Sequence, residues 1–408
     1  IPTFFRPKKI NVGFLASELR ATAHRVALQY KERGLLEDDE LEDLWGRITD
    51  SRISYEELRV VRDDFAAALD AANPGGDGAG RVAHYFTAKT FARFARDAHG
   101  RINGRTFMEF VVRHVALTQS RINLGCHDSD ADGWLTEDDL EAFVGRSVTT
   151  MTALQSLPMG FANQYRRIAT RRFMFFNDPR RRGKARISAL LASDALSEFN
   201  ELHAAREDDP SLAKNWFSLA SAQRVYKSYL DLDLDMNGTL SKAELKKYTV
   251  DPRNAALGCT AQGLTDLFVD RLFEEHSKAM ESEMDFHAFL DFVLAWSDKE
   301  HPASLAYFFR VLDVNRTGAL TNAEIWTFLK SIHETWTSDP DNYDLNMLDV
   351  QDEIFDMVKP AEAGRITLED LQRCGCAGTV IEILCDHTGF WRYDNRENLP
   401  HDDEEEEG

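Results

Sequence analysis

Apolar residues in this chain recur at three- and four-residue spacing, the period of a helix with one buried face, and short polar turns interrupt them. Leu15, Leu19, Ala23, Val26 and Tyr30 form one stripe and Leu41, Leu44 and Trp45 another, so residues 1–72 are predicted helical. Asn-Pro-Gly-Gly-Asp-Gly-Ala-Gly at 73–80 then reads as a linker, and its glycines lack the spacing of a phosphate-binding loop. From Tyr85 onward a helix-loop-helix rhythm repeats. Each turn is followed by one apolar residue at an equivalent place: Ile102, Leu135, Ala185, Leu240, Met284, Leu320 and Ile366, with Ile53 as a candidate earlier member. Neighbours from Ile102 on lie 33 to 55 residues apart, a span that fits one helix pair each. Loops of this type couple in twos through a short backbone bridge at that apolar position. We pair 102 with 135, 185 with 240, and 284 with 320.

One turn carries a full set of oxygen ligands. A twelve-residue calcium loop needs side-chain oxygens at positions 1, 3, 5 and 12, a backbone carbonyl at 7, a water or hydroxyl at 9, and Gly at 6 for the sharp turn. Asp233, Asp235, Asn237, Gly238, Thr239, Ser241 and Glu244 fill those places, and Glu244 is long enough to bind with both oxygens. Ser221 is the predicted cap of the entering helix, and Leu245 and Tyr248 open an exiting helix that Asp251-Pro252 stops. A second loop offers Asp128, Asp130, Asp132, Gly133, Trp134, Thr136 and Asp139, the last one methylene shorter than Glu. A third offers Asp313, Asn315, Thr317, Gly318, Thr321 and Glu324, with only two carboxylates and a weaker expected affinity. The remaining turns have lost their ligands; the one at Asp178, Arg180 and Arg182 is cationic and cannot hold a cation. The predicted fold is therefore mostly α, an elongated array of paired EF-hand-like helix-loop-helix units behind an N-terminal helical region, with Ca2+ as its ion. The expected divisions are 1–80 (helices and linker), 81–210 (first lobe), 211–345 (second lobe, with the strongest loop), 346–399 (a C-terminal helical unit) and 400–408 (an acidic tail).

Composition narrows the function. Across 408 residues, 43% are hydrophobic and the formal charge is −21, which suits a globular protein rich in carboxylate loops and argues against duplex nucleic acid as the main partner. Five cysteines, at 126, 259, 374, 376 and 385, are too few and too uneven for a disulfide framework; Cys374, Cys376 and Cys385 lack a second CxxC or a paired His and read as free thiols rather than a metal site. Two Asn-X-Thr triplets, at Asn237 and Asn315, are discounted as glycosylation sites. No apolar run approaches the roughly 18 residues that span a bilayer, and we expect an intracellular protein. The chain shows no GxSxG, HExxH, Walker, kinase or metallophosphatase signature, so no catalytic centre is expected. One cationic run stands out: Arg166, Arg167, Arg171, Arg172, Arg180, Arg181, Arg182, Lys184 and Arg186, with Asp178 as its only acid. It reads as a docking surface for an acidic or phosphorylated partner; a solvated face and, less favoured, nucleic acid are the alternatives.

Several stretches carry a resemblance. Asn215-Trp-Phe-Ser-Leu-Ala-Ser-Ala-Gln-Arg-Val-Tyr226, leading into the loop at 233–244, resembles the B″-type regulatory subunits of protein phosphatase 2A, within them the TONNEAU2/FASS and G5PR branch. Tyr85–Ala92, Glu283–Ala295, Asp352–Pro360 and Gly389–Glu397 carry the same likeness, which runs from about residue 10 to 399. The resemblance implies a non-catalytic, calcium-binding subunit that docks on the phosphatase scaffold and directs the catalytic subunit to substrates. It implies a cytoplasmic, cytoskeleton-associated setting (centrosome, basal body or cortical microtubules, with the nucleus also open) and partners among microtubule-associated proteins. The loops at 233–244 and 313–324 match the two calcium motifs of the family, whereas the Asp128–Asp139 loop departs from its animal branch. The alternative is a calcium-responsive structural protein of a microtubule or ciliary assembly that does not bind the phosphatase.

Overall fold

The computed structural model describes residues 14–48, 52–207, 209–248, 263–276, 283–337 and 345–396. Among them helices dominate, and strands are two or three residues long. They form three antiparallel ribbons: β1 (Arg52–Ile53) with β2 (Ile102–Asn103), β3 (Trp134–Thr136) with β4 (Lys184–Arg186), and β5 (Leu320–Thr321) with β6 (Arg365–Ile366). A fourth coupling is a single bridge between Leu240 and Met284, whose N–H groups donate to each other's carbonyls at 2.8 Å.

These couplings correct the expected pairing by one unit. Ile53 pairs with Ile102, Leu135 with Ala185, Leu240 with Met284, and Leu320 with Ile366. The frame is set by Ile53, the residue with the weakest signal, because its turn has no ligand set to mark it. Once that unit is counted, eight units form four pairs of sequence neighbours. All eight bridge residues are buried.

The turns keep a common local chemistry whether or not they retain ligands. Ser54 with Glu57, Ser241 with Glu244, Thr321 with Glu324, and Thr367 with Asp370 each form a reciprocal capping box at the start of the exiting helix. These are positions 9 and 12 of their loops. The residues that would close around an ion also satisfy the orphan N–H groups of the next helix.

The chain divides into two compact units, 1–147 with 184–196, and 148–183 with 197–408. The division crosses the 81–210 segment because β4 returns to pair with β3. The first unit packs Leu44, Phe65, Phe86, Phe107 and Val111 in one core. Its helix Phe14–Arg33 departs from the predicted stripe: Leu19, Val26 and Tyr30 are exposed, and Leu28 packs instead with Leu35 and Ile122. The second unit's core joins Leu240 and Leu245 to the helices Phe286–Ser297, Pro302–Leu312 and Asn322–Trp336. Phe289, Phe292, Tyr307, Phe308 and Phe309 are all buried there, so none of them is free to form an aromatic docking surface. No helix among the described residues is long and apolar enough to cross a membrane. Cys126, Cys374, Cys376 and Cys385 are free thiols. Cys259, Asp251-Pro252 and the acidic tail lie outside the described residues.

Candidate metal centre

The helix Leu219–Leu232 delivers the first ligand, Asp233, at its C-cap. Its N-cap is Ser218, whose hydroxyl accepts from the Ser221 N–H, so the cap lies three residues before the expected one. Ser218 wins because its extended backbone (φ −61°, ψ 148°) lets the side chain turn back over the first turn. Past Asp233 the backbone turns left-handed twice, at Met236 (φ 55°) and Gly238 (φ 85°). An added Cβ at Gly238 would touch nothing within 4 Å, so glycine is favoured there by conformation and not by space.

That path turns the backbone N–H groups inward onto the carboxylates. Asp233 accepts from Asn237 N at 3.1 Å and from Gly238 N at 3.0 Å, and Asp235 accepts from Asn237 N at 3.1 Å. Glu244 reaches back across the loop: Oε1 accepts from Leu234 N at 2.9 Å, and Oε2 from Ser241 N at 2.9 Å and Ser241 Oγ at 2.7 Å. Hydrogen bonds from the Ser241 backbone and hydroxyl hold Glu244 below the usual carboxylate range, with burial opposing them. One oxygen each of Asp233, Asp235 and Glu244 lie within 4.8 Å of one another. Three hard anionic oxygens converging in one turn suit Ca2+. Sequence reasoning missed two flanking contacts. The Tyr229 hydroxyl donates to the Gly238 carbonyl at 2.7 Å, and the Thr239 hydroxyl hydrogen-bonds Glu283 of the paired unit. The four-residue spacing of Tyr229 and Asp233 was the available signal for the first.

The second loop assembles only in part. Asp128, Asp130 and Asp132 bring oxygens within 4.8 Å, around the left-handed residues Ala131 and Gly133. Burial pushes the Asp128 carboxyl up. Asp139 does not join them: its Oδ2 accepts from Thr136 N at 2.9 Å and Thr136 Oγ1 at 2.7 Å, which leaves the shorter side chain on its capping duty. Trp134 contributes a backbone position, its N–H held by Asp132 Oδ1 at 2.7 Å. In the third loop Asp313 accepts from Thr317 N and Gly318 N at 2.9 and 2.8 Å. Glu324 Oε1 is bonded to Asn315, through its N–H at 2.9 Å and its side-chain amide at 3.1 Å. Thr317 turns its hydroxyl to the Ala319 carbonyl. The loop has the shape of the first with one carboxylate fewer.

Part of the cationic run is engaged by acids of the fold. Arg171 makes a two-pronged pair with buried Asp291 at 2.5 and 2.7 Å, and Arg181 lies 3.7 Å from the same carboxylate. Arg172 pairs with Glu198 at 2.7 Å and Lys184 with Asp132 at 3.1 Å. Four of the nine cations thus pair with acids of this chain, while Arg167, Arg180, Arg182 and Arg186 are exposed. The turn at Asp178 keeps the calcium-loop backbone, with Arg181 and Gly183 left-handed and Gly183 N bonded to Asp178 at 2.7 Å. Its arginines and lysine occupy the ligand positions.

Comparison with known proteins agrees with this architecture. The EF hand family model matches residues 231–248. The chain is 38% identical over 410 residues to TON2 of Arabidopsis thaliana, a probable B″ regulatory subunit of serine/threonine-protein phosphatase 2A, covering 98% of this chain and 82% of that protein. It is 37% identical over 412 residues to the gamma member of the B″ regulatory subunits of Homo sapiens, covering 99% and 86%. A chain of the PP2A PR70 holoenzyme shares the fold, with a TM-score of 0.53 at 24% identity over 62% of this chain and 91% of that one. Identity of this order along nearly the whole length establishes that this chain belongs to the B″ regulatory subunits of serine/threonine-protein phosphatase 2A, a family of regulatory and not catalytic subunits.

Proposed function

We propose that this protein docks on the scaffold and catalytic subunits of protein phosphatase 2A and directs the enzyme to substrates, with calcium bound chiefly by Asp233, Asp235, Asn237, Thr239, Ser241 and Glu244. The near-full-length likeness to named B″ subunits supports the docking. The convergence of Asp233, Asp235 and Glu244 is the single observation that carries the calcium assignment. The loops at Asp128–Asp139 and Asp313–Glu324 are weaker cation sites, the first because Asp139 is too short to close it and the second because it has two carboxylates. The likeness to the TON2 branch supports a location at microtubule-organising structures, among microtubule-associated proteins, which imaging of the tagged chain against a centrosomal or cortical marker checks.

Co-purification with the phosphatase scaffold tests the docking, and failure of the full chain to retain the scaffold would overturn it. Calcium can act on assembly only through a difference in free energy between the states it does and does not favour. We expect calcium to tighten scaffold binding by about 1–3 kcal/mol, the usual span of coupling energies. Equal scaffold affinity in calcium and in chelator would make the ion structural and not regulatory.

A further inference from the structure

Each ligand-bearing loop is coupled to a partner loop without a ligand set. In each partner, one residue stands immediately before the bridge residue: Lys184 before Ala185, Glu283 before Met284, and Arg365 before Ile366. The ribbon register places Lys184 opposite Thr136 and Arg365 opposite Thr321, each at position 9 of the loop it faces. Two of these residues reach directly into the neighbouring loop. Lys184 Nζ lies 3.1 Å from Asp132 Oδ2 and 5.1 Å from the centre of the Trp134 ring. Glu283 meets the hydroxyl of Thr239, position 7 of its partner loop.

The chemistry at the two ends of this comparison is opposite. Asp132 Oδ1 is taken by the Trp134 N–H, so Oδ2 is the oxygen left to face a cation, and the Lys184 ammonium already holds it. A divalent ion entering the Asp128–Asp139 loop must displace that ammonium or share the carboxylate with it. In the Asp233–Glu244 loop the equivalent place holds a carboxylate, which adds to the negative potential instead of cancelling it. We propose that the charge of the residue preceding the bridge position in the metal-free partner loop sets the cation affinity of the loop it faces. Glu283 raises the affinity of the Asp233–Glu244 loop, whereas Lys184 lowers that of the Asp128–Asp139 loop. This rests on the reading of the three loops as cation sites, and it assigns the ligand-poor units a role beyond packing.

Charge exchange at the two contacting positions tests it. Trp134 is part of its loop and sensitises terbium luminescence there, so terbium titration of the full chain in a Glu244→Gln background, which weakens the loop beside Tyr229, reads that loop. Lys184→Gln and Lys184→Glu are expected to tighten terbium binding in that order, by about three- to tenfold, the scale of partly exposed charge pairs and their reversal. Glu283→Lys is expected to weaken calcium binding at the Asp233–Glu244 loop by a similar factor, read by calorimetry in an Asp130→Asn background. Glu283→Gln, with an intermediate loss, guards against misfolding of the reversal. Unchanged affinities at both loops overturn the proposal. No terbium signal from Trp134 in any Lys184 variant removes the Asp128–Asp139 loop as a site, and the Glu283 arm then decides alone. No cation binding at the Asp233–Glu244 loop in the parent chain overturns the proposal together with the reading beneath it.

Discussion

Glu244 has two duties, and one substitution separates them. It is the position-12 ligand, and it is also the third residue of the capping box that starts the helix Lys242–Leu245. Glu244→Gln keeps an acceptor oxygen for Ser241, the Glu/Gln equivalence that a capping box allows. It has one oxygen where the carboxylate has two, so either the Leu234 N–H or the Ser241 N–H loses its partner. That loss costs about 0.5–1.5 kcal/mol, partly offset because Asp233 and Asp235 no longer face a third anion. The cation-free variant is thus expected within about 1 kcal/mol of the parent. The calcium response behaves differently. A ligand that binds only the folded state stabilises it by about 4 kcal/mol at a thousandfold excess over its Kd, which is millimolar calcium for a micromolar site. Sensor loops fall near 10⁻⁷–10⁻⁵ M, so urea denaturation of the full chain in calcium and in chelator should show a shift of this size for the parent. Glu244→Gln should abolish most of it. A variant that keeps more than half of the shift would refute the assignment of Glu244 as the closing ligand.

Three further outcomes follow from the same contacts. Asp291→Ala removes the buried carboxylate that Arg171 grips with two hydrogen bonds, and is expected to cost about 3–5 kcal/mol by denaturation, whereas Arg171→Met with Asp291→Leu should recover most of it; a single-variant loss below about 1 kcal/mol would contradict the burial argument. Burial raises the Asp386 carboxyl from its ordinary value to about 6, so the folded state binds the extra proton and stability falls as pH rises from about 4 through 6. Asp386→Asn keeps the cap on Thr388 N and should stabilise the protein by about 1–3 kcal/mol at pH 7, with the gain vanishing near pH 4; a gain independent of pH would assign it to another cause. Finally, every ligand-bearing loop is coupled to a loop without a ligand set, so calcium titration should show a Hill coefficient of about 1, and a coefficient near 2 would require a second site in the same pair.

Much of this was legible in the chain because helical spacing and loop ligands are local signals. The oxygens of Asp233–Glu244 are twelve consecutive residues, and the covalent chain alone brings them to one turn. The pairing of the units was not local. It depended on Ile53, whose turn carries no carboxylate cluster, and the capping box of Ser54 and Glu57 was its only polar mark. Asp139 is hard to read from sequence for a related reason: at position 12 both Asp and Glu satisfy the cap, and the methylene between them decides whether the carboxylate also reaches the ion. The stripe through Leu19, Val26 and Tyr30 has helical spacing, yet spacing cannot say which face meets a neighbour, and Leu28 was the residue that did. The partner of Arg171 could not be read from the run itself, because Asp291 lies 120 residues away.

The capping boxes also limit what calcium can move. Positions 9 and 12 anchor the exiting helix through Ser241 and Glu244, and the Leu240–Met284 bridge pins the loop to its partner through the chain's own hydrogen bonds. The leverage of an ion is therefore greatest over 233–239, where Asp233, Asp235 and Asn237 are held only by hydrogen bonds from within the same turn. Two contacts lead out of that segment. Thr239 touches Glu283, and Tyr229 holds the Gly238 carbonyl while its ring packs edge-on 4.9 Å from Phe286 and tilted 5.2 Å from Phe289. Both lead to the helix Phe286–Ser297, which also carries Asp291 and its two arginines from the cationic run. One helix thus receives the loop on one side and anchors the basic segment on the other. A change in the set of the loop would reach the packing of Phe286–Ser297 through these two contacts, because Phe289 and Phe292 lie in the same buried core as Tyr229.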